Sequence, residues 1–264
     1  MNPRDRGLAY GDGLFETIRV TAAGVAPLWP RHLARLRRGM AALALPAVPL
    51  PRLEQALQDG IGALGGEPGV VKLVLTRGVG GRGYLPPANP VPSLIWQVSA
   101  LPVWSETQRQ QGVALGLCSR PLYPDAFAGH KHLNRLPQVQ ARMEVDRQGW
   151  DEGLLLSSSR QPLEATAMNL FARLDGTWWT PDLTAARAGV AGVMRDWLLD
   201  TLRDRGEPVA CDLRPLSQLR RADGVFLCNS VVGVLPVRKL AQWQWPVPAA
   251  IHELQRLVDT LLSD

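Results

Sequence analysis

What most limits the fold of this chain is that its apolar residues keep changing period without running long enough to cross a bilayer. Short, mostly continuous apolar runs give way to stripes at three- and four-residue spacing, bounded again and again by proline or glycine. Such a chain must form strands and helices in turn, so it specifies a mixed α and β protein. The longest apolar stretch, Met40 to Leu50, is interrupted by Pro46 and Pro49, well short of the ~18 residues a membrane span needs. The opening MNPRDRG has no apolar signal core. The expectation is a cytoplasmic protein with no membrane partner.

GDGLFETIRV predicts a turn and then a strand. Arg31 to Leu45 carries Leu33, Leu36, Met40 and Leu43 at helical spacing, and Pro46, Pro49 and Pro51 then break the chain. Leu53, Ala56, Leu57, Ile61 and Leu64 make a second helical stripe, ended by Gly65 and Gly66. VVKLVLTR, from Val70 to Arg77, reads as a buried strand that runs into the glycine-rich loop GVGGRG, and Leu94 to Val98 reads as another strand. LPVWSETQRQQ, from Leu101 to Gln111, is polar and proline-led, and is expected to be an interdomain linker. It separates a smaller N-terminal α/β domain (1–103) from a larger C-terminal domain (104–264). The second domain is predicted to hold a strand at Val113 to Cys118, a loop at Pro121 to Gly129, and a helix from about Asn134 to Gln148. Three strands follow, in GLLLS, MNLFAR and TWWT. A glycine turn at Gly189 to Gly192 then opens a helix. Strands at Pro208 to Leu213 and Gly224 to Asn229 precede a last helix from Ile251 to Leu261.

The net charge is +5, but no window carries five like charges. A solvated basic surface explains that better than a nucleic-acid site, and no nucleic-acid partner is expected. Cys118, Cys211 and Cys228 are too few and too scattered for a disulfide framework. The four histidines show no metal spacing, so no metal is expected. Among 29 basic residues only Lys72, Lys131 and Lys239 are lysines. Any chemistry that needs an amine has three candidates.

Lys131 lies in GHKHLNR after an irregular loop. It is either a nucleophilic lysine with neighbouring cations or a surface lysine at a helix start. Lys72 lies in a strand and could point either way; Lys239 is expected to be solvated. Glu164, in PLEATAMNLF, is placed on a connection between strands, either as a solvated turn residue or as a buried acceptor for a ligand nitrogen. AGVAGVMRDW puts glycine just before a helix, so the amides of Val193 and Met194 could bind an anion. Ser230, in FLCNSVVG, offers a hydroxyl beside a turn. Arg35, next to an apolar stripe, is either snorkelling or paired with an anion. Arg82 and Tyr84, in GGRGY, suit carboxylate capture or a solvated loop. GVGGRGY is not a dinucleotide fingerprint, and no serine sits in a GxSxG elbow.

The blocks YGDGLFETIRV, RHLARL, LTRGVGGRGY, KHLNRLPQVQAR, EATAMNLF, AGVAGVMR and CNSVVGVLPV occur in that order along nearly the whole chain. Together they resemble the branched-chain aminotransferase-like pyridoxal-phosphate enzymes, the fold type IV group. The resemblance implies a two-domain α/β enzyme with pyridoxal 5'-phosphate between its lobes, working as a cytoplasmic homodimer on a small-molecule substrate. Lys131 matches the lysine that carries the cofactor. Glu164 matches the acid at the pyridine nitrogen, and Arg35, Val193, Met194 and Ser230 match the phosphate ligands. Arg82 and Tyr84 match loop residues facing a substrate carboxylate; Tyr10 and Arg19 match positions near the site's mouth. KHLNRLPQ together with RGVGGRGY is similar to the lyase members, which convert 4-amino-4-deoxychorismate to 4-aminobenzoate and pyruvate in folate biosynthesis. The alternative is a D-amino-acid or branched-chain aminotransferase. Members of the group usually carry a strand ahead of the segment matched by NPRDRGLAYGDG, and this chain begins almost at that motif. That difference is expected to bear on folding stability more than on chemistry.

Overall fold

The structure, a computed structural model, describes residues 2–263. The chain divides into two units. One holds residues 2–101, the segment His130–Arg135 and residues 262–263; the other holds Pro102–Gly129 and Leu136–Leu261.

In the first unit the elements are α1 (Arg6–Tyr10), β1 (Gly13–Val20), α2 (Trp29–Ala42), α3 (Leu50–Ala63), β2 (Gly69–Thr76) and β3 (Ser93–Ser99). The strands form an antiparallel sheet in the order β1-β2-β3. Burial alternates along β1, because successive side chains face opposite sides of a sheet. Leu14, Glu16, Ile18 and Val20 are buried, while Phe15, Thr17 and Arg19 are half-buried. The two long helices cover the buried face: Leu36, Met40 and Leu53 pack with Leu14 and Leu75, and Ala56 and Leu57 pack with Ile18, Val71 and Leu73. Pro51, expected to break the chain, instead sits in the first turn of α3, where its missing N–H costs nothing. A short extended run lies on the open edge of β1. Lys131 O accepts from Phe15 N–H at 2.9 Å, and Leu133 N–H donates to Gly13 O at 3.0 Å. Leu14 and His132 form an antiparallel bridge, so Lys131 sits opposite Phe15.

The second unit contains α4 (Glu106–Gln111), β4 (Val113–Leu117), α5 (Leu136–Gln148), β5 (Glu152–Leu156), β6 (Pro162–Ala165), β7 (Asn169–Leu174), β8 (Thr177–Pro181), α6 (Leu183–Ala186), α7 (Val193–Asp204), β9 (Val209–Asp212), β10 (Gly224–Asn229), β11 (Gly233–Leu240), β12 (Trp243–Gln244) and α8 (Ala249–Leu261). Because β10 pairs with both β11 and β7, the strands β4, β5, β6, β7, β10 and β11 close into a ring. β8 and β9 extend from β7, and β12 from β11. Closure removes exposed strand edges. Leu154, Leu170, Leu227, Leu235 and Val237 are fully enclosed in its core, each contributing about 1.5–3 kcal/mol over an exposed position. Among the described residues no helix is long and apolar enough to cross a membrane.

Two further sequence expectations change here. The end of the polar stretch Leu101 to Gln111 is the helix α4. Ser105 caps it by accepting from Gln108 N–H, and Gln108 returns the bond to Ser105 N–H, a reciprocal pairing that stabilises even a short helix. Glu164 does not lie on a connection. It is in β6, paired with Leu155 on one side and Asn169 on the other.

Candidate active site

In the first unit the amine of Lys131 lies 4.4 Å from the centre of the Phe15 ring. The pairing opposite Phe15 explains this, because opposed residues on neighbouring strands share a face. Lys131 thus stands in an extended run, not at a helix start; α5 begins only at Leu136. Lys72 reaches the same ring from β2, at 5.1 Å. Lys239 is exposed on β11.

On the helix-covered side of β1, Glu16 collects three hydrogen bonds. Arg35 donates from Nε at 2.9 Å and from Nη2 at 2.5 Å, and His32 Nδ1 lies 2.6 Å away. Arg35 is therefore paired with an anion, and that anion is a buried side chain of the same unit. Burial alone would raise the Glu16 pKa, but the Arg35 charge and the bonds from His32 and Arg35 hold it at about 2. His32 is shifted down, chiefly by burial, and the charges of Arg35 and Lys131 push the same way. At neutral pH His32 is neutral and donates its Nδ1–H to Glu16.

Both shifts make this cluster acid-sensitive. A depressed His32 loses stability as pH falls below about 6.5, and a depressed Glu16 loses it from about 4.5 down to about 2. The Glu16 part amounts to roughly 3 kcal/mol. Urea midpoints measured from pH 7 to pH 3 should fall accordingly; a flat profile would contradict the assignment.

The loop after β2 carries Arg82 and Tyr84, both exposed. The Tyr84 ring lies 5.3 Å from that of Tyr10, at the end of α1. Arg19 is half-buried on the same face of β1 as Phe15.

The second unit gathers another group. Glu164 is buried; its Oε2 accepts from Val190 N–H at 2.8 Å and its Oε1 from Gln138 Nε2 at 3.4 Å. Asn169, its register partner, donates Nδ2–H to Val190 O at 2.9 Å. Val190 is thus gripped on both its backbone groups by side chains of two adjacent strands. The flanking glycines are required by this closeness. A Cβ on Gly192 would come 1.9 Å from Asn169 Oδ1, and Gly189 has φ +86° with Glu164 Oε2 3.0 Å from where its Cβ would stand. Gly129 ties the same strip, donating to Gly189 O at 2.8 Å and accepting from Ala191 N–H at 3.0 Å.

Gly192 is also the N-cap of α7 and makes no side-chain capping bond. The buried side chains of Val193 and Met194 anchor that first turn, whose amides and dipole suit an anion. α7 packs on β10, and the turn after β10 carries Ser230. Asn229 Oδ1 shapes that turn by accepting from Val231 N–H at 2.9 Å and Val232 N–H at 2.7 Å.

Residues 13–240 match the model of the aminotransferase class IV family. The chain belongs to that family. It is 34% identical over 254 residues to an aminodeoxychorismate lyase of Vibrio harveyi, covering 96% of this chain and 92% of that one. It is also similar to the crystal structure of 4-amino-4-deoxychorismate lyase from Pseudomonas aeruginosa, with a TM-score of 0.92 and 46% identity, covering 98% of this chain and 94% of that one. The Escherichia coli branched-chain amino acid aminotransferase shares the fold at 21% identity, with a TM-score of 0.89, covering 100% of this chain and 90% of that one.

Sequence reading missed several residues that touch or hold the candidate ones: Phe15, Glu16, His32, Gln138, Asn169 and Val190. Glu16 did leave a signal. It alternates with Leu14 and Ile18 in GLFETIRV, so a carboxylate falls on the apolar side of a strand, and a buried carboxylate needs a partner. The His32 and Arg35 pair, three apart on one helix face, supplies it.

Proposed function

We propose that this class IV chain is a pyridoxal-phosphate-dependent lyase that converts 4-amino-4-deoxychorismate to 4-aminobenzoate and pyruvate. The observation that carries the reading is the match to both lyases over more than nine-tenths of their own lengths.

Each unit offers groups whose chemistry fits the cofactor. Lys131 offers an amine placed by strand pairing, and Glu164 a buried carboxylate already oriented by Val190 N–H. The glycine strip before α7 leaves no room for side chains beside helix-start amides. Lys131 would hold the cofactor, Glu164 its pyridine nitrogen, and Val193, Met194 and Ser230 its phosphate; Arg35, assigned to the phosphate by the resemblance, would have to serve it while its Nε and Nη2 stay on Glu16. Bound pyridoxal phosphate supplies an electron sink for charge developing on the substrate.

Lys131 Nζ acts as general base at C4, the substrate carbon bearing the amino group. Loss of that proton is coupled to cleavage of the C3–O bond, which leaves an aromatic ring and releases enolpyruvate. Lys131 or water then delivers a proton to the enol carbon, giving pyruvate. Arg82 and Tyr84, with Tyr10 and Arg19, face the substrate, and Arg82 pairs with one of its two carboxylates.

The working form is a homodimer in the cytoplasm. Leu136, Val139 and Met143 form an exposed apolar stripe along α5, with exposed Tyr123 and Phe127 on the loop before it, which suits a second copy. The free thiols of Cys118, Cys211 and Cys228 suit a reducing compartment.

Elimination needs no second substrate. The purified enzyme given 4-amino-4-deoxychorismate alone should release 4-aminobenzoate, detected by its fluorescence. Product that appears only with an added keto acid, or faster turnover of D-alanine or leucine, would replace this reading with an aminotransferase.

A further inference from the structure

Arg6 opens α1 and is only 4% exposed. Its guanidinium reaches across to the loop that carries Arg82 and Tyr84. Nη2 donates to Tyr84 O at 2.7 Å, and Nη1 donates to Gly83 O at 3.3 Å and Leu85 O at 3.4 Å. Nε donates to Asp12 Oδ2 at 2.8 Å. Asp12 is held in turn by Arg77 Nε at 2.8 Å. Burial raises the Asp12 pKa, but Arg77 and Arg6 together bring its carboxyl below the ordinary range. Asp12 is therefore a fixed anion that aims the Arg6 fork. The guanidinium also stands 5.0 Å from the Tyr10 ring, which in turn meets Tyr84.

The loop has little else to hold it where it matters. Its base is tied by Arg6 N–H to Gly78 O at 2.9 Å and Gly80 N–H to Arg4 O at 3.2 Å. Beyond that, Tyr84 is 84% exposed and Leu85 86% exposed, so neither packs into a core. Three consecutive carbonyls converge on one buried cation instead.

We propose that Arg6 is a positioning residue for substrate recognition. It fixes the backbone of 83–85 so that Arg82 and Tyr84 are presented to a substrate carboxylate. This rests on the proposed function, in which those two side chains face the substrate. Only a planar fork can serve Asp12 and three carbonyls at once. A lysine keeps the charge but cannot span that set.

The test compares holoenzymes of wild type, Arg6→Lys, Arg6→Gln, Arg82→Ala and the double variant Arg6→Lys/Arg82→Ala. Trypsin cleavage after the exposed Arg82 should quicken in both Arg6 variants, with the cofactor absorbance unchanged. KM for 4-amino-4-deoxychorismate should rise about tenfold in Arg6→Lys while kcat stays within about threefold. The double variant should lose less than the two single penalties combined, because Arg6 acts through Arg82 and Tyr84. If Arg6→Gln does not fold, Arg6→Lys alone decides. Unchanged trypsin cleavage after Arg82, quickened cleavage with unchanged KM, or fully additive penalties in the double variant would each overturn the proposal. A wild type with no lyase activity would instead overturn the functional reading, and the recognition role with it.

Discussion

Replacing Lys131 with alanine should lower kcat by about ten-thousandfold or more. A positioned acid–base group contributes up to about that factor alone, and Lys131 is read as holding the cofactor as well. The structure makes the test a sharp one, because Lys72 lies against the same Phe15 ring, 5.1 Å from its centre against 4.4 Å for Lys131. Reach to the ring does not separate the two amines. What separates them is their setting: Lys131 follows the glycine-bounded loop on the open edge of β1, whereas Lys72 lies within β2, paired on both sides. Borohydride reduction of the holoenzyme, followed by peptide mapping, should therefore place the pyridoxyl group on Lys131. A label on Lys72 or Lys239 would sink the assignment, as would an alanine variant with near-normal turnover.

Much of this fold was legible because local patterns and tertiary packing agree. The stripes of α2, α3 and α8 and the apolar runs of β2, β5 and β10 are buried as their periods predict. The failures have physical causes. β6 has four residues, one of them proline, so it shows no alternation to read; it is a strand only because β5 and β7 flank it. α4 hid in a polar segment because all its stability signal is in the capping box. Closure of the six-strand ring depends on β10 meeting β7 across a long sequence gap, which no local window contains. The candidate site divides in the same way. Residues that would touch ligand, such as Lys131 and Glu164, stood out as rare or odd side chains in their contexts. The residues that hold them did not: Asn169 and Gln138 are ordinary amides until the fold brings them beside Val190 and Glu164.

Glu164→Gln should keep the cofactor bound while lowering kcat by about a hundred- to a thousandfold. Glu164 Oε2 accepts a hydrogen bond from Val190 N–H at 2.8 Å. Glutamine in the same place must turn its carbonyl oxygen toward that N–H, since its amide nitrogen has no acceptor to offer it. Its NH₂ group then replaces Oε1, beside Gln138, whose amide must turn to accept from it, and toward the position assigned to the pyridine nitrogen. A carboxylate there favours a protonated ring nitrogen, whereas an amide donor favours the unprotonated one. The swap reverses the polarity of the ring-nitrogen contact and of the long contact to Gln138, and hardly changes volume. Val190, Asn169 and the glycine strip should stay in place, because they are held by backbone bonds and by Asn169. Losing one such preorganised charge contact costs about 2.7–4 kcal/mol in the transition state, which is the stated fold-change. Absorption spectra should show bound cofactor, and single-turnover rates should show the loss in the chemical step. Glu164→Asp, which keeps the charge but shortens the reach, should lose less than Glu164→Gln. Unchanged turnover in Glu164→Gln would mean that this buried carboxylate serves only to hold Val190.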